Sequence, residues 1–296
     1  MEPKVKGPQF TLFALCYGKH PHLAERCLQS ISQRLDPHRV RSVRIGLNDP
    51  CPDTLAVVDR LAKIMAEKVE VLIYNPGKNV MKYPLMRKMF YDPDHPVETP
   101  YVMWFDDDSC LVDADYWWVN VQNHMDCGMD LVGHIWYMPL RGDQPRRIKE
   151  QGWYTGKPWH RHRGRNVMKF ATGGWWVARY SILHKWKYPW AELRHNGGDS
   201  TLGEMMYQQG HKVMNYSNGV WINADEDGNP SKAPRRGVDE GKRPVWYRES
   251  DQYDLSHLNF DVVASVVGKD HDPTAPRTVK TKPTRTDDDV IRIPGL

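Results

Sequence analysis

The sequence predicts an α/β protein with a mostly parallel central sheet flanked by helices, continued by a second half of mixed structure. In the first hundred residues, apolar runs typical of strands alternate with helical patterns of roughly 10–15 residues, as in βαβ units. All twelve tryptophans lie between Trp104 and Trp246, so the two halves differ in composition. We expect residues 8–125 and 126–268 to form two halves of one domain, and residues 269–296 to be a weakly structured tail.

The elements of the first half follow one another in a regular order. Apolar periodicity predicts strands at residues 10–17, 43–47, 69–73 and 101–105. It predicts helices that begin at Pro21, at Asp53 (as N-cap) and near Pro84. Strands joined in this way form parallel pairs with right-handed crossovers.

The second half has fewer clear elements. A strand is expected over residues 169–180, with a turn at Gly173 and Gly174. A helix is expected over residues 199–209, with Gly210 as its C-terminal stop. Residues 224–242 are rich in Gly, Pro and charge, and we expect a loop there.

Composition excludes several classes of protein. The 296 residues carry 41 Lys and Arg against 37 Asp and Glu, a mild net charge of +4 that does not by itself indicate a nucleic-acid-binding protein. No apolar run approaches the ~20 residues of a membrane span, and the first residues lack the apolar stretch of a signal peptide. The five cysteines include no C-x-x-C pair, which argues against a disulfide framework or structural zinc. We therefore expect a cytoplasmic protein.

Three consecutive aspartates, Asp106 to Asp108, follow the buried strand at residues 101–105. In parallel sheets the ligand lies beyond the carboxyl ends of the strands, where Tyr17 and Asn48-Asp49 are also expected. Carboxylates held this close favour a divalent cation, and Mg²⁺ commonly shares its ligands with substrate phosphates. The alternative is that these aspartates only end the strand and cap the next turn.

Four segments, in order, resemble the family 2 glycosyltransferases of the GT-A (Rossmann-like) fold. They are Phe10 to Ile31 with Cys16-Tyr17-Gly18-Lys19, Asn48-Asp49-Pro50-Cys51-Pro52-Asp53-Thr54, Tyr101 to Asp108, and Ala171-Thr172-Gly173-Gly174 with Gly197 to Glu204 and Gly210 to Val213. Residues 8–125 then correspond to a nucleotide-sugar-binding half that ends in the D-x-D strand, and residues 126–268 to an acceptor-binding half. Two positions depart from the family: Asn48, where an acid is common, and Gly198, where a glutamate usually precedes the aspartate.

The resemblance implies a metal-dependent, inverting hexosyl- or pentosyltransferase that uses a nucleotide-diphosphate sugar. It implies that Asp199 is the general base toward the acceptor hydroxyl; the alternative is a helix N-cap. It implies Mn²⁺ or Mg²⁺ at Asp106 and Asp108, with His257 (or Asp225) as third ligand. The implied donor-binding residues are Tyr17, Asp49, Lys82, Asp106, Asp107, Arg235 and Arg236. The implied acceptor-binding residues are Gly173, Gly174, Trp175 and Trp176, since tryptophan faces stack on sugar rings and nucleobases.

The segment of residues 141–169 carries nine Lys and Arg against two Asp and Glu, with His160 and His162 among them. Basic residues interleaved with aromatics suit phosphate contact and base stacking, although such a run is more often a solvated loop. The resemblance implies a glycan acceptor; if the basic segment contacts phosphates, the acceptor is instead expected to be a hydroxymethylated base in DNA, as in phage-type enzymes. The alternatives are a nucleotidyltransferase of related fold and a nucleic-acid-binding module built on this segment.

Overall fold

A computed structural model describes residues 7–18, 20–112, 116–191, 193 and 197–222, together with the backbone of a strand at 262–266. The strands of the described part are β1 (Phe10–Tyr17), β2 (Val40–Asn48), β3 (Glu70–Tyr74), β4 (Tyr101–Asp106), β5 (Cys110–Leu111), β6 (Leu131–Pro139), β7 (His160–His162), β8 (Arg165–Arg179), β9 (Val213–Asn215), β10 (Val220–Trp221) and β11 (Val262–Val266). Its helices are α1 (Pro21–Arg34), α2 (Pro52–Ala66), α3 (Lys82–Phe90), α4 (Trp117–Asp126), α5 (Gln144–Lys149), α6 (Tyr180–Lys185) and α7 (Gly198–Gln208).

One nine-stranded sheet runs through both halves of the chain in the order β11-β3-β2-β1-β4-β8-β6-β9, with β7 paired to β8. Strands β3, β2, β1 and β4 are parallel neighbours, as the βαβ pattern predicts. Strand β8 joins antiparallel to β4, and through β8 the second half extends the same sheet. The predicted α/β fold with a central sheet is thus confirmed, and the ends of β1, β2 and β4 lie side by side.

Helices cover both faces of this sheet. Apolar residues of α1, α2 and α4 pack with alternate residues of β1, such as Leu12 and Ala14, in one core. Residues of α3, α6 and α7 pack with the other residues of β1, such as Phe13 and Leu15, in a second core. The side chains on both faces of the central strands are therefore buried, which explains why these strands are continuous apolar runs.

Two expectations about local structure are wrong. Asp53 is not the N-cap of α2: the N-cap is Cys51, with Pro52 in the first turn, and Asp53 follows where its charge faces the helix dipole. Gly173 and Gly174 do not form a turn, because β8 runs through them. Between the pairs Ala171–Ile135 and Trp176–Gly133 the register of β8 against β6 shifts, so the two glycines lie in an irregular stretch of a continuous strand.

The helix expected after residue 198 is present as α7, and Gly210 follows its end with a φ of 76°, as a C-terminal stop requires. No helix in the described part of the chain has the length and apolarity needed to cross a membrane. The five cysteines all lie in that part, and none of them forms a disulfide bond.

Candidate functional site

Polar side chains from β1, β2 and the loop before α3 meet at the ends of the parallel strands. Tyr17 and Asn48 are paired across β1 and β2. The amide of Asn48 donates to Asn79 Oδ1 (3.1 Å), and Nδ2 of Asn79 donates to the Tyr17 hydroxyl (3.3 Å). Asn48 Oδ1 also accepts from the backbone N–H of Val80 (2.8 Å). This network fixes the loop that leads into α3, and Asn79 is a member that sequence reasoning missed.

Asp49, expected beside Tyr17, differs from the members of this network. Its side chain is exposed and its backbone has a φ of 58°, a left-handed conformation that aspartate tolerates better than most residues. No hydrogen bond to Asp49 is formed by another described residue. Its role in donor binding stays a prediction.

The first aspartate of the cluster, Asp106, is bound on both carboxylate oxygens. Lys82 Nζ lies 2.6 Å from Asp106 Oδ2, and the Trp104 indole N–H donates to Oδ1 (2.9 Å). Lys82 Nζ also donates to the carbonyl oxygen of Gly173 (3.3 Å). Lys82, expected on the donor side, is therefore a mostly buried partner of the first aspartate rather than a solvated lysine.

The other two aspartates have different surroundings. Asp107 Oδ2 accepts from the backbone N–H of Tyr17 (2.8 Å), while its own N–H donates to the carbonyl of Leu15 (3.1 Å). These bonds hold the end of β1 against the end of β4. Asp108 is nearly buried, and its charge reaches both Lys82 and the Cys27 thiol.

Asp199 lies across the site from Asp106, on the first turn of α7. It is not the N-cap, a position held by Gly197, so the capping alternative for Asp199 is wrong. Its Oδ1 accepts a hydrogen bond from the hydroxyl of Tyr83 (2.8 Å). A Cβ atom built on Gly173 would lie 2.5 Å from Asp199 Oδ1 and 2.8 Å from Lys82 Nζ, so only glycine leaves room for both groups.

The charges of this cluster are unbalanced. Burial lowers the pKa of Lys82, but Asp106, Asp199 and Asp108 outweigh burial and hold that pKa above its usual value. Lys82 therefore stays protonated; its ammonium group contacts Asp106 and is attracted by the charges of Asp199 and Asp108. Burial first, and then Asp199, raise the pKa of the Tyr83 phenol well above its usual range, so this hydroxyl keeps its proton.

The backbone before α3 is strained at this point. Met81 has φ 72° and ψ 164°, a region that non-glycine residues rarely adopt. Its N–H donates to Asn79 Oδ1 (3.0 Å), which helps to hold this conformation. As a result, the two residues that follow, Lys82 and Tyr83, both turn into the site.

Trp175 and Trp176 are predicted to stack on the acceptor, but their burial contradicts this prediction. Their exposed fractions are 0% and 1%, because β8 is a central strand with a core on each face. Their rings pack on Trp117 and Trp104 and are not available for stacking on a ligand. The exposed aromatic residue near this stretch is Trp136 (44%), whose indole donates to Thr172 Oγ1 (3.2 Å).

The aspartates of this site are of the ligand type that a divalent cation prefers. Three carboxylates against one lysine leave an excess of negative charge, and carboxylate oxygens are the ligands that Mg²⁺ and Mn²⁺ prefer. Within the described ranges, however, no three His, Cys, Asp or Glu residues are grouped as metal ligands. His257, Asp225, Arg235 and Arg236 all lie outside the described residues.

The basic segment forms several small elements. In α5, Arg147 and Arg146 pair with Asp143 and Glu150. Further on, Arg161, Arg163 and Arg165 are exposed on the β7–β8 hairpin, and no acidic residue of the described part forms an ion pair with them. This hairpin therefore presents uncompensated positive charge.

No protein-family model and no curated protein matches the sequence. Among solved structures, the chain is similar to a mannosyltransferase from Pyrobaculum calidifontis, described with GDP-Man and Mn²⁺ (12% identity, TM-score 0.47, 72% of this chain and 56% of that one). It is similar to S. aureus TarS 1-349 (12%, 0.45, 72% and 59%) and to mouse xyloside xylosyltransferase 1 (12%, 0.38, 71% and 85%). The match thus spans little more than half of the first two proteins. Because each TM-score is below 0.5, we infer the function of this chain from its own site.

Proposed function

We propose that this chain is a GT-A-type glycosyltransferase that moves a sugar from a nucleoside-diphosphate sugar to an acceptor hydroxyl. One observation carries the proposal: two carboxylates, Asp106 at the end of β4 and Asp199 at the start of α7, face each other across Lys82 and Gly173. A transferase that displaces a diphosphate needs charge-compensating groups on the leaving-group side and a base on the acceptor side. The two sides of this site supply these two kinds of group.

On the donor side, the network of Tyr17, Asn48 and Asn79 borders the ends of β1 and β2, where a nucleoside would lie. Lys82 supplies a fixed positive charge for the diphosphate. Asp106 and Asp108 would hold Mn²⁺ or Mg²⁺, with His257 as third ligand. A cation held there stabilises the negative charge that develops on the departing diphosphate.

On the acceptor side, Asp199 takes the proton of the acceptor hydroxyl. The acceptor oxygen then forms a bond to the anomeric carbon, and the bond from that carbon to the diphosphate oxygen breaks with its electron pair on the nucleoside diphosphate. Because attack comes from the side opposite the leaving group, the configuration at the anomeric carbon inverts. Gly173 leaves room for Asp199 and Lys82 to lie side by side.

The acceptor is a glycan or a hydroxymethylated base in DNA. The exposed arginines of the β7–β8 hairpin favour a polyanion, because nothing in the described part of the chain neutralises them. Arg235 and Arg236, if they close over the diphosphate, would complete the donor side.

The test is hydrolysis of a panel of nucleotide sugars without acceptor, with Mn²⁺, with Mg²⁺ and with EDTA. We expect one donor to be hydrolysed to free sugar and nucleoside diphosphate in a cation-dependent manner, and Asp108→Ala to lose cation-dependent nucleotide binding. Release of pyrophosphate from a nucleoside triphosphate would instead identify a nucleotidyltransferase. If no nucleotide sugar is hydrolysed under any condition, sugar transfer is excluded.

A further inference from the structure

Tyr83 is buried, with an exposed fraction of 2%, and its hydroxyl donates to Oδ1 of Asp199 at 2.8 Å. The two residues are 116 positions apart in sequence and belong to different helices, α3 and α7. Burial and Asp199 raise the pKa of this phenol well above its usual value, which favours the protonated, hydrogen-bond-donating form. The bond therefore links the start of α3 to Asp199.

Gly198 explains why the link is possible. A Cβ atom at position 198 would overlap the ring of Tyr83. Since Gly198 has no side chain, the ring passes over the backbone of α7 and reaches the next residue, Asp199. Position 198 is one of the two departures from the family, because a glutamate usually precedes the aspartate there. In this chain the ring of Tyr83 fills the space that a side chain at position 198 would need.

The same short segment also reaches the donor side. Lys82 binds Asp106, while Tyr83, the next residue, binds Asp199. The strained conformation of Met81 sets the direction of both side chains. The first turn of α3 therefore contacts both carboxylates.

We propose that Tyr83 is the positioning residue of Asp199, a role that rests on the proposed function of Asp199 as general base. The phenol holds one carboxylate oxygen in place and leaves the other oxygen to accept the acceptor proton. Gly198 is required because it gives the ring access to Asp199. Tyr83 itself does not touch the reacting atoms.

The experiment is a double-mutant cycle of Tyr83→Phe and Asp199→Ala, measured both in transfer kinetics and in thermal unfolding. If Tyr83 acts through Asp199, Tyr83→Phe lowers kcat about 10- to 100-fold and leaves the donor KM unchanged, because a small misplacement of the base is costly. In the Asp199→Ala background the same change alters kcat less than twofold. Equal losses of kcat in both backgrounds overturn the proposal.

Matched variants control for stability. Tyr91→Phe is the same substitution as Tyr83→Phe, but the hydroxyl that it removes donates to the carbonyls of Leu183 and Tyr188 and not to a carboxylate. We expect Tyr91→Phe to keep kcat at any temperature where the protein is folded. Gly198→Ala should reproduce the kcat loss of Tyr83→Phe, whereas Gly152→Ala, where a Cβ atom meets no atom within 4 Å, should not.

Thermal unfolding tests the Tyr83–Asp199 link independently of whether the protein transfers sugar. The changes in Tm for Tyr83→Phe and Asp199→Ala should be non-additive, whichever reaction the protein catalyses. Additive changes overturn the Tyr83–Asp199 link even if transfer is found. If the changes in Tm are non-additive but the protein turns over no nucleotide sugar, the Tyr83–Asp199 link is supported and the reaction assigned to Asp199 is overturned.

Discussion

Gly173 of β8 lies directly against the carboxylate of Asp199, so that a methyl group at position 173 would stand 2.5 Å from Oδ1. The same methyl group would stand 2.8 Å from Lys82 Nζ, which donates to the Gly173 carbonyl. Both groups are the ends of side chains, so an added methyl group would displace them rather than the backbone. They cannot move without leaving the positions from which they would act.

Gly173→Ala should therefore separate activity from stability. We expect the transfer rate to fall about 100-fold, the cost of displacing a reacting group by roughly 1 Å. The unfolding temperature should change little, as for the control Gly152→Ala. The checks are steady-state kinetics and thermal unfolding of both variants. A Gly173→Ala enzyme with full activity would show that Asp199 and Lys82 are not jointly needed.

Asp199→Asn tests the general base directly. Because the N-cap of α7 is Gly197, the change removes a charge from the first turn but no cap. We expect the transfer rate to fall about 10²- to 10⁴-fold, the usual contribution of general base catalysis. Donor affinity, measured by nucleotide binding, should stay within about twofold. A nearly unchanged rate would remove Asp199 from the mechanism.

Much of this site could be predicted from sequence because strand ends follow a simple rule. Tyr17, Asn48 and Asp106 end parallel strands, and parallel strands end at the same edge of a sheet. Tyr83 could not be predicted, since it touches Asp199 only through the packing of two helices that are distant in sequence. Trp175 followed a glycine pair and suggested an exposed platform. Its burial follows from the central place of β8, which periodicity alone does not reveal.

Lys82→Met should make the carboxylate cluster depend on an added cation. Without Lys82, Asp106 loses the ammonium group that lies 2.6 Å from its Oδ2, and Asp199 and Asp108 lose the attraction of that charge. We expect a loss of about 3 kcal/mol in the free energy of unfolding, typical of a buried pair with one member removed. Mn²⁺ should then raise the Tm of Lys82→Met more than that of the wild type.

The control for this prediction is Lys63→Met, which removes an exposed lysine that pairs with Asp59 on α2. Its Tm should respond to Mn²⁺ as the wild type does. An equal response of Lys82→Met and Lys63→Met would argue against a cation at the Asp106–Asp108 cluster. Because the readout is unfolding, the result does not depend on the identity of the donor.

Asp92 should contribute to the acid sensitivity of the fold. Burial raises its pKa, but bonds from His95, Lys88 and Tyr74 outweigh burial and lower the pKa from 3.8 to about 2. The stabilisation is present above the unfolded-state pKa and is lost as the pH falls through about 2. A shift of this size corresponds to about 2 kcal/mol at neutral pH.

We therefore expect Asp92→Asn to lower the free energy of unfolding by about 2 kcal/mol at pH 7 and to flatten its decline between pH 4 and the folded-state pKa of about 2. Urea unfolding across this pH range is the measurement. Glu25→Gln, which breaks an exposed pair with Arg60, is the control and should leave the acid profile unchanged. Parallel profiles for the wild type and Asp92→Asn would contradict the assignment.

The acceptor class can be tested on the β7–β8 hairpin. Arg161, Arg163 and Arg165 are exposed there. If they contact phosphates, binding of duplex DNA should weaken steeply with salt, with a log–log slope of about −0.9 per phosphate contacted. Replacing all three by Ala should flatten this slope by up to roughly three units. Fluorescence anisotropy with labelled DNA between low and physiological salt measures the slope.

Two further measurements make the DNA test decisive. Acceptor-free donor hydrolysis should be unaffected by the triple variant, because the donor side is built from the ends of β1, β2 and β4. A control triple variant at Arg39, Arg60 and Lys63, which form ion pairs in the first half, should keep the wild-type slope. Non-specific attraction to a protein of net charge +4 would instead change the slope equally in both triples. A flat salt response with duplex and single-stranded DNA alike would leave a neutral glycan as the acceptor.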